Sequence, residues 1–200
     1  MPTRTRFALG FRVKSGYAIA IALSGPAAAP TPVLRRRVEL SDPENGATKQ
    51  PFHDGFGTAQ EDGRVIARLT AIIERCTRRS IAALLEDDRL RDASCEAAGL
   101  VVGSVIDPAS VGNPHIRAHA SEGRLFRSVL EGALRGHDIA GVVLVEKQLL
   151  AESSARVRRS ALQISKSLAV FGQALGRPWR GDEKSAALAA WIALQHGHRS

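Results

Sequence analysis

The residues of this chain best suited to chemistry are concentrated in one short stretch: Asp107, Asn113, His115, Arg117, His119, Glu122 and Arg124. In a helix, His115, His119 and Glu122 stand at i, i+4 and i+7, so two imidazoles and one carboxylate share a face. Such a set can ligate zinc, and with Arg117 beside it can hold phosphate through charged imidazole and guanidinium groups. The plainer reading is a solvated helix face that Asn113-Pro114 initiates, so no residue is assigned as a metal ligand. Glu146, closing an apolar run beside Lys147, and Glu183, opening the last helical stretch, add two carboxylates. An enzymatic reading, a metal-dependent nuclease or hydrolase, therefore draws on His115, His119, Glu122, Glu146 and Glu183, and only that reading calls for a divalent metal. Other chemistries lack their signatures. There is no Gly-x-x-x-x-Gly-Lys loop, Ser15 and Ser104 have no nucleophile-elbow setting, and neither cysteine lies beside a credible base.

Charge points to a class of partner. The 28 Lys and Arg residues against 20 Asp and Glu leave a net charge of +8, which favours an anionic partner such as nucleic acid. The anion-binding candidates are Arg12, Lys14, Arg117, Arg180 and Lys184. Arg35 to Arg37, and the stretch holding Arg156, Arg158, Arg159 and Lys166, could also track a phosphate backbone. No aromatic residues are interleaved with them, so stacking on single-stranded bases is poorly supported. Cys76 and Cys95 have neither CxxC nor Cys/His spacing, which disfavours a disulfide framework or zinc module and suits reduced thiols in the cytoplasm. No apolar stretch approaches the length of a membrane span. Arg4, Arg6, Arg12 and Lys14 before the run Tyr17 to Leu23 imitate a secretory leader, but the charges interrupt it. Two strands joined by a tight turn at Lys14-Ser15-Gly16 account for the same residues better.

The elements that must position these groups follow from periodicity. Phe7 to Val13, Tyr17 to Leu23 and Val33 to Leu40 read as an antiparallel meander. A long loop occupies about 41–61, rich in turn residues. Val65, Ile66, Leu69, Ile72, Ile73, Cys76, Ile81, Leu84 and Leu85 then mark an amphipathic helix with Arg68, Glu74, Arg75, Arg78 and Arg79 on its wet side. Leu100 to Ile106 and Val142 to Val145 read as buried parallel strands. Helices are expected over about Ile116 to Arg135, Ser154 to Leu175 and Asp182 to His196. The 200 residues suit one domain with 44% hydrophobic composition, enough for a real core.

Three antiparallel strands, a helix, then two buried strands each followed by helices give an α/β order with a mixed five-stranded sheet and helices on both faces, the ribonuclease H-like arrangement. Within it, Ala8-Leu9-Gly10-Phe11-Arg12-Val13-Lys14-Ser15-Gly16-Tyr17-Ala18 resembles the first hairpin of RuvC-type Holliday-junction resolvases. Lys184 to Ala193 is similar to their Ala-rich last helix. The resemblance implies metal-ion nuclease chemistry on several carboxylates, because two cations can activate water and stabilise the leaving oxygen together. It places those carboxylates at Arg12, near Gly103 and at Ala186, with Glu183 or Asp182 left for the remaining one. The expectation is therefore a degenerate, non-catalytic member that binds nucleic acid or another anionic partner.

Overall fold

The computed structural model describes residues 5–55 and 58–196. Its central strand, β1 (Thr5–Lys14), is buried on both sides, and its alternation organises everything else. Phe7, Leu9, Phe11 and Val13 face one layer, whereas Ala8, Gly10 and Arg12 face the other. β1 turns at Gly16, whose φ of 83° suits glycine, into antiparallel β2 (Tyr17–Ser24), and β2 pairs with antiparallel β3 (Thr31–Glu39). On its other side β1 pairs in parallel with β4 (Ala93–Val102), and β4 with β5 (Ala140–Val145). The result is a mixed five-stranded sheet of order β3-β2-β1-β4-β5.

The first layer is made by α1 (Gly63–Leu85) and α2 (Pro114–Arg135). Their apolar stripes, Ile73, Ile81 and Leu84 on one and Phe126, Leu130 and Leu134 on the other, bury against Leu9, Phe11 and Leu34. The second layer is α5 (Gly181–His196), which lies directly on the sheet and is covered in turn by α3 (Glu146–Val157) and α4 (Ala161–Leu175). Because α5 is enclosed on all sides, Ala186 to Leu194 are all buried, and the helix has no polar face in that span. Trp191 is anchored within it by an Nε1–H bond of 2.8 Å to the Ala27 carbonyl.

Three boundaries differ from the sequence reading. β4 begins at Ala93 and stops at Val102, because small residues Ala97 and Ala98 fill the sheet where the periodicity signal is weak, while Val105 and Ile106 lie exposed in the following loop. The helix expected over Ser154 to Leu175 is two helices, broken at Arg158 with φ 53°, after which Ser160 and Gln163 form a reciprocal capping box for α4. Glu146 opens α3 rather than merely ending β5.

Charge also ties the layers. Asp87, after α1, accepts from the guanidinium groups of Arg36 on β3 and Arg89, the latter at 2.8 and 2.9 Å. The Arg89 side chain, followed by the Arg89 backbone N–H, holds this carboxyl well below the usual carboxylate range despite its burial. Asp87→Asn is expected to lower stability by about 1–2 kcal/mol at neutral pH. Since the folded pKa is depressed, the native carboxylate contributes above the unfolded value near 3.9 and loses its contribution as pH falls below it. Urea titrations of both proteins at pH 7 and pH 3 should therefore show a gap that narrows at the lower pH. The Cys95 thiol, pushed up to about 12 by burial, is an inert packing group, and both cysteines are unbridged.

Candidate functional site

Arg12 follows Ala8 and Gly10 on β1's second face and is the one buried cation among the described residues. It ends a row of small residues, Ala8 and Gly10, so its long side chain runs beneath α5 toward that helix's N-terminus, with 5% of the residue exposed. Its Nη1 donates to the carbonyls of Val13 and Val101, at 3.1 and 3.4 Å, and its Nη2 to Glu146 Oε2. Nε stands 3.5 Å from Asp182 Oδ1, an ion-pair contact too long for a good hydrogen bond, and Lys14 Nζ reaches the same oxygen at 3.0 Å. Two cations and two carboxylates from β1, α3 and α5 thus close on one another at the carboxyl ends of β1 and β5. Glu183, next in chain to Asp182 and buried, turns back to accept from the Arg180 backbone N–H at 2.8 Å and caps the start of α5.

The other sequence candidates divide. Arg180 and Lys184 are exposed at the N-terminal end of α5. Arg117 is exposed on α2 and donates to the Val111 carbonyl at 3.1 Å. The β3 arginines are engaged within the protein. Arg35 donates to the Arg177 and Pro178 carbonyls, Arg36 to Asp87 and the Ala83 carbonyl, and Arg37 to Glu39 while its guanidinium stacks 3.6 Å over the Tyr17 ring.

A cationic surface that the sequence reading recorded only as the wet side of a helix is more ordered than expected. Arg64, Arg68, Arg75 and Arg79 of α1 fall within 60° of one another at 100° per residue, so they line one stripe about 22 Å long. All four are exposed, and none has an ion-pair partner among the described residues. On α2, Arg117, Arg124 and Arg135 are exposed and share a second stripe by the same spacing.

His115, His119 and Glu122 do meet, on the sheet face opposite Arg12, and a third imidazole joins them. The loop before α1 folds back through bonds from Asp54 N–H to the Thr58 carbonyl and from Gln60 N–H to the Phe52 carbonyl, both 2.9 Å, and this places His53 against α2. One ring nitrogen each of His53, His115 and His119 lies within 4.8 Å of the other two. His115 and His119 are exposed, as a solvated helix face would be, but Glu122 beneath them is only 1% exposed. Its Oε1 lies 2.7 Å from His53 Nδ1 and its Oε2 3.5 Å from His119 Nδ1. Asn113, whose side chain accepts from the Ile116 N–H, and Pro114 start α2 so that His115 and His119 project from its first two turns. The structure therefore separates the catalytic candidates into two places: His115, His119 and Glu122 on one face, Glu146 and Glu183 on the other. His53 was missed because its partners lie more than sixty positions away and no local period includes it.

The carboxylate-bound metal ions implied by the RuvC resemblance do not fit around Arg12. Arg12 and Lys14 already neutralise Glu146 and Asp182, and a divalent cation added there would meet the buried Arg12 guanidinium at close range. No family model and no curated protein matches the chain. Solved structures do. Thermus thermophilus RuvC in complex with Holliday junction substrate aligns over 96% of this chain and 95% of its own, with a TM-score of 0.54 and 10% identity. A second Thermus thermophilus RuvC structure gives the same coverage and TM-score at 9% identity. The yeast mitochondrial Holliday junction resolvase Ydc2 aligns over 95% of this chain and 79% of its own, at a TM-score of 0.48 and 12% identity. With the sheet order and the two helical layers above, the two RuvC alignments identify the architecture: the chain has a ribonuclease H-like fold of the RuvC type.

Proposed function

We propose that this chain is a nucleic-acid-binding protein that holds its ligand without cutting it. The observation that carries the binding half is the α1 stripe of Arg64, Arg68, Arg75 and Arg79, four exposed guanidinium groups on one straight edge in a chain of net charge +8. A length of about 22 Å matches about six phosphates along one strand of a duplex. Arg117, Arg180 and Lys184 extend the positive surface, whereas Lys14 and Arg124 are paired with Asp182 and Asp107, and the fold is one in which a solved neighbour is bound to a Holliday junction. The non-cleaving half rests on Arg12, whose buried guanidinium engages Glu146 and Asp182, the carboxylates a metal ion would have to use there. Unbridged cysteines and the absence of a helix long and apolar enough to cross a membrane among the described residues suit work in the cytoplasm.

The stripe has a quantitative signature. Binding of a labelled four-way junction or duplex, followed by fluorescence anisotropy over salt, should weaken linearly in log Kobs against log salt. Replacing all four stripe arginines with glutamine should weaken binding for every sequence and make the slope shallower by about 3–4, from the loss of four phosphate contacts. These side chains are exposed, so the melting temperature should barely move. An unchanged slope in the quadruple variant places the nucleic acid on another face.

A further inference from the structure

We infer that His53, His115 and His119 form a binding site for a zinc-class transition-metal ion, held in register by Glu122. Three neutral nitrogens select Zn²⁺, Co²⁺ or Ni²⁺ over Mg²⁺ or Ca²⁺, which take oxygen ligands. The spacing already suits such an ion. His115 Nε2 and His119 Nε2 are 3.3 Å apart, the edge expected of a tetrahedron with Zn–N bonds of about 2.0–2.1 Å. The third nitrogen lies within 4.8 Å of both, so the His53 ring has to close onto the pair to complete the tripod.

Glu122 explains why the rings present the nitrogens they do. A carboxylate only accepts, so the neutral His53 ring carries its proton on Nδ1 toward Oε1 and leaves the Nε2 lone pair open. That ring is 6% exposed, and its Nε2 is buried with no hydrogen-bond partner, a costly arrangement for a nitrogen unless an ion takes it up. The carboxylate's other oxygen, buried without a hydrogen-bond partner, lies 3.5 Å from His119 Nδ1 and favours the same orientation of that ring only through this longer contact. A buried acid that holds an imidazole by its far nitrogen, as Glu122 holds His53, is the arrangement that raises ligand basicity in histidine metal sites. His115 and His119 are exposed, so the fourth position opens to solvent and can take water or a phosphate oxygen. The ion would also pin the loop between β3 and α1 onto α2. This proposal stands apart from nucleic-acid binding and does not depend on it.

The test uses the full chain, stripped with a chelator and then titrated calorimetrically with Zn²⁺, with Co²⁺ as a probe whose visible d–d bands report tetrahedral nitrogen coordination. One equivalent should bind, with no competition from excess Mg²⁺. His53→Ala and His119→Ala should each weaken binding by more than about 100-fold, and Glu122→Gln by about 10–100-fold, while the distant His137→Ala leaves it unchanged. Circular dichroism checks that each variant is folded, and His115→Ala, on an exposed face, substitutes for any that is not. Failure of the folded wild-type protein to bind Zn²⁺ overturns the proposal. So does undiminished affinity in His53→Ala, which would leave only two helical histidines at work.

Discussion

Gly10→Val is expected to leave no folded protein. Gly10 and Gly99 face each other across β1 and β4, and together they make a flat place in the sheet on which α5 rests. A Cβ added to Gly10 would stand 1.9 Å from the Ala186 carbonyl oxygen and 2.3 Å from the Ala190 nitrogen, and one on Gly99 would stand 2.5 Å from the Ala189 carbonyl oxygen. These are backbone atoms of a fully enclosed helix, with no rotamer to change, so the whole of α5 must lift away. Ordinary overpacking costs about 1–3 kcal/mol, but lifting α5 also opens the layer containing Ile21, Leu144 and Trp191, comparable to a domain's entire margin of about 5–15 kcal/mol. Far-UV circular dichroism and gel filtration of the purified variant should show an unfolded or aggregated chain. Gly123→Ala, where nothing lies within 4 Å of the added methyl, should fold normally and serves as the control.

The second large effect concerns the ion cluster and is asymmetric. Removing Glu146 strands a guanidinium whose side chain is 6% exposed, whereas removing Arg12 strands carboxylates that are 44% and 33% exposed and can be hydrated. Glu146→Ala is therefore expected to cost about 3–5 kcal/mol, the range for an uncompensated buried charge, softened by the remaining Asp182 contact. Arg12→Met, which keeps the volume and apolar stem, should cost less, and the double variant should be more stable than Glu146→Ala alone. Denaturant titrations of the three proteins decide it. Equal losses in the two single variants would mean that the cluster is a surface feature of little consequence.

Much of this fold is legible in local pattern. Period-two apolar runs mark β1 and β2, a 3.6-residue period marks α1 and α2, and the order of elements leads to the mixed sheet. The β4 start at Ala93 is not legible, because Ala and Ser carry little strand signal and are placed by pairing with β1. Glycine within two buried strands, followed by an alanine-rich helix, is a signal for close backbone approach that becomes decisive only when the register pairs Gly10 with Gly99. The candidate sites are less legible still. Arg12 on a strand reads from sequence as an anion-binding cation, yet its guanidinium is directed inward to carboxylates on α3 and α5, more than 130 residues away. Two of the three histidines are visible as a helical i, i+4 pair, but His53 comes from a loop, and only tertiary folding brings it there. The arginine stripe on α1 could have been read directly, since Arg64, Arg68, Arg75 and Arg79 recur at spacings of four and seven, the repeat of one helix face.

The most direct test of binding without cleavage combines two readouts on one sample. The protein is mixed with end-labelled four-way junction and duplex DNA at low salt, with Mg²⁺ or Mn²⁺ present, anisotropy is recorded, and the same mixtures are run on a denaturing gel. Micromolar or tighter, salt-sensitive binding with every strand intact is the expected result. Metal-dependent cleavage that survives in the stripe-bound complex would contradict it, showing that the Arg12 cluster does not prevent metal-ion chemistry, and the absence of any binding would contradict the reading of the arginine stripe.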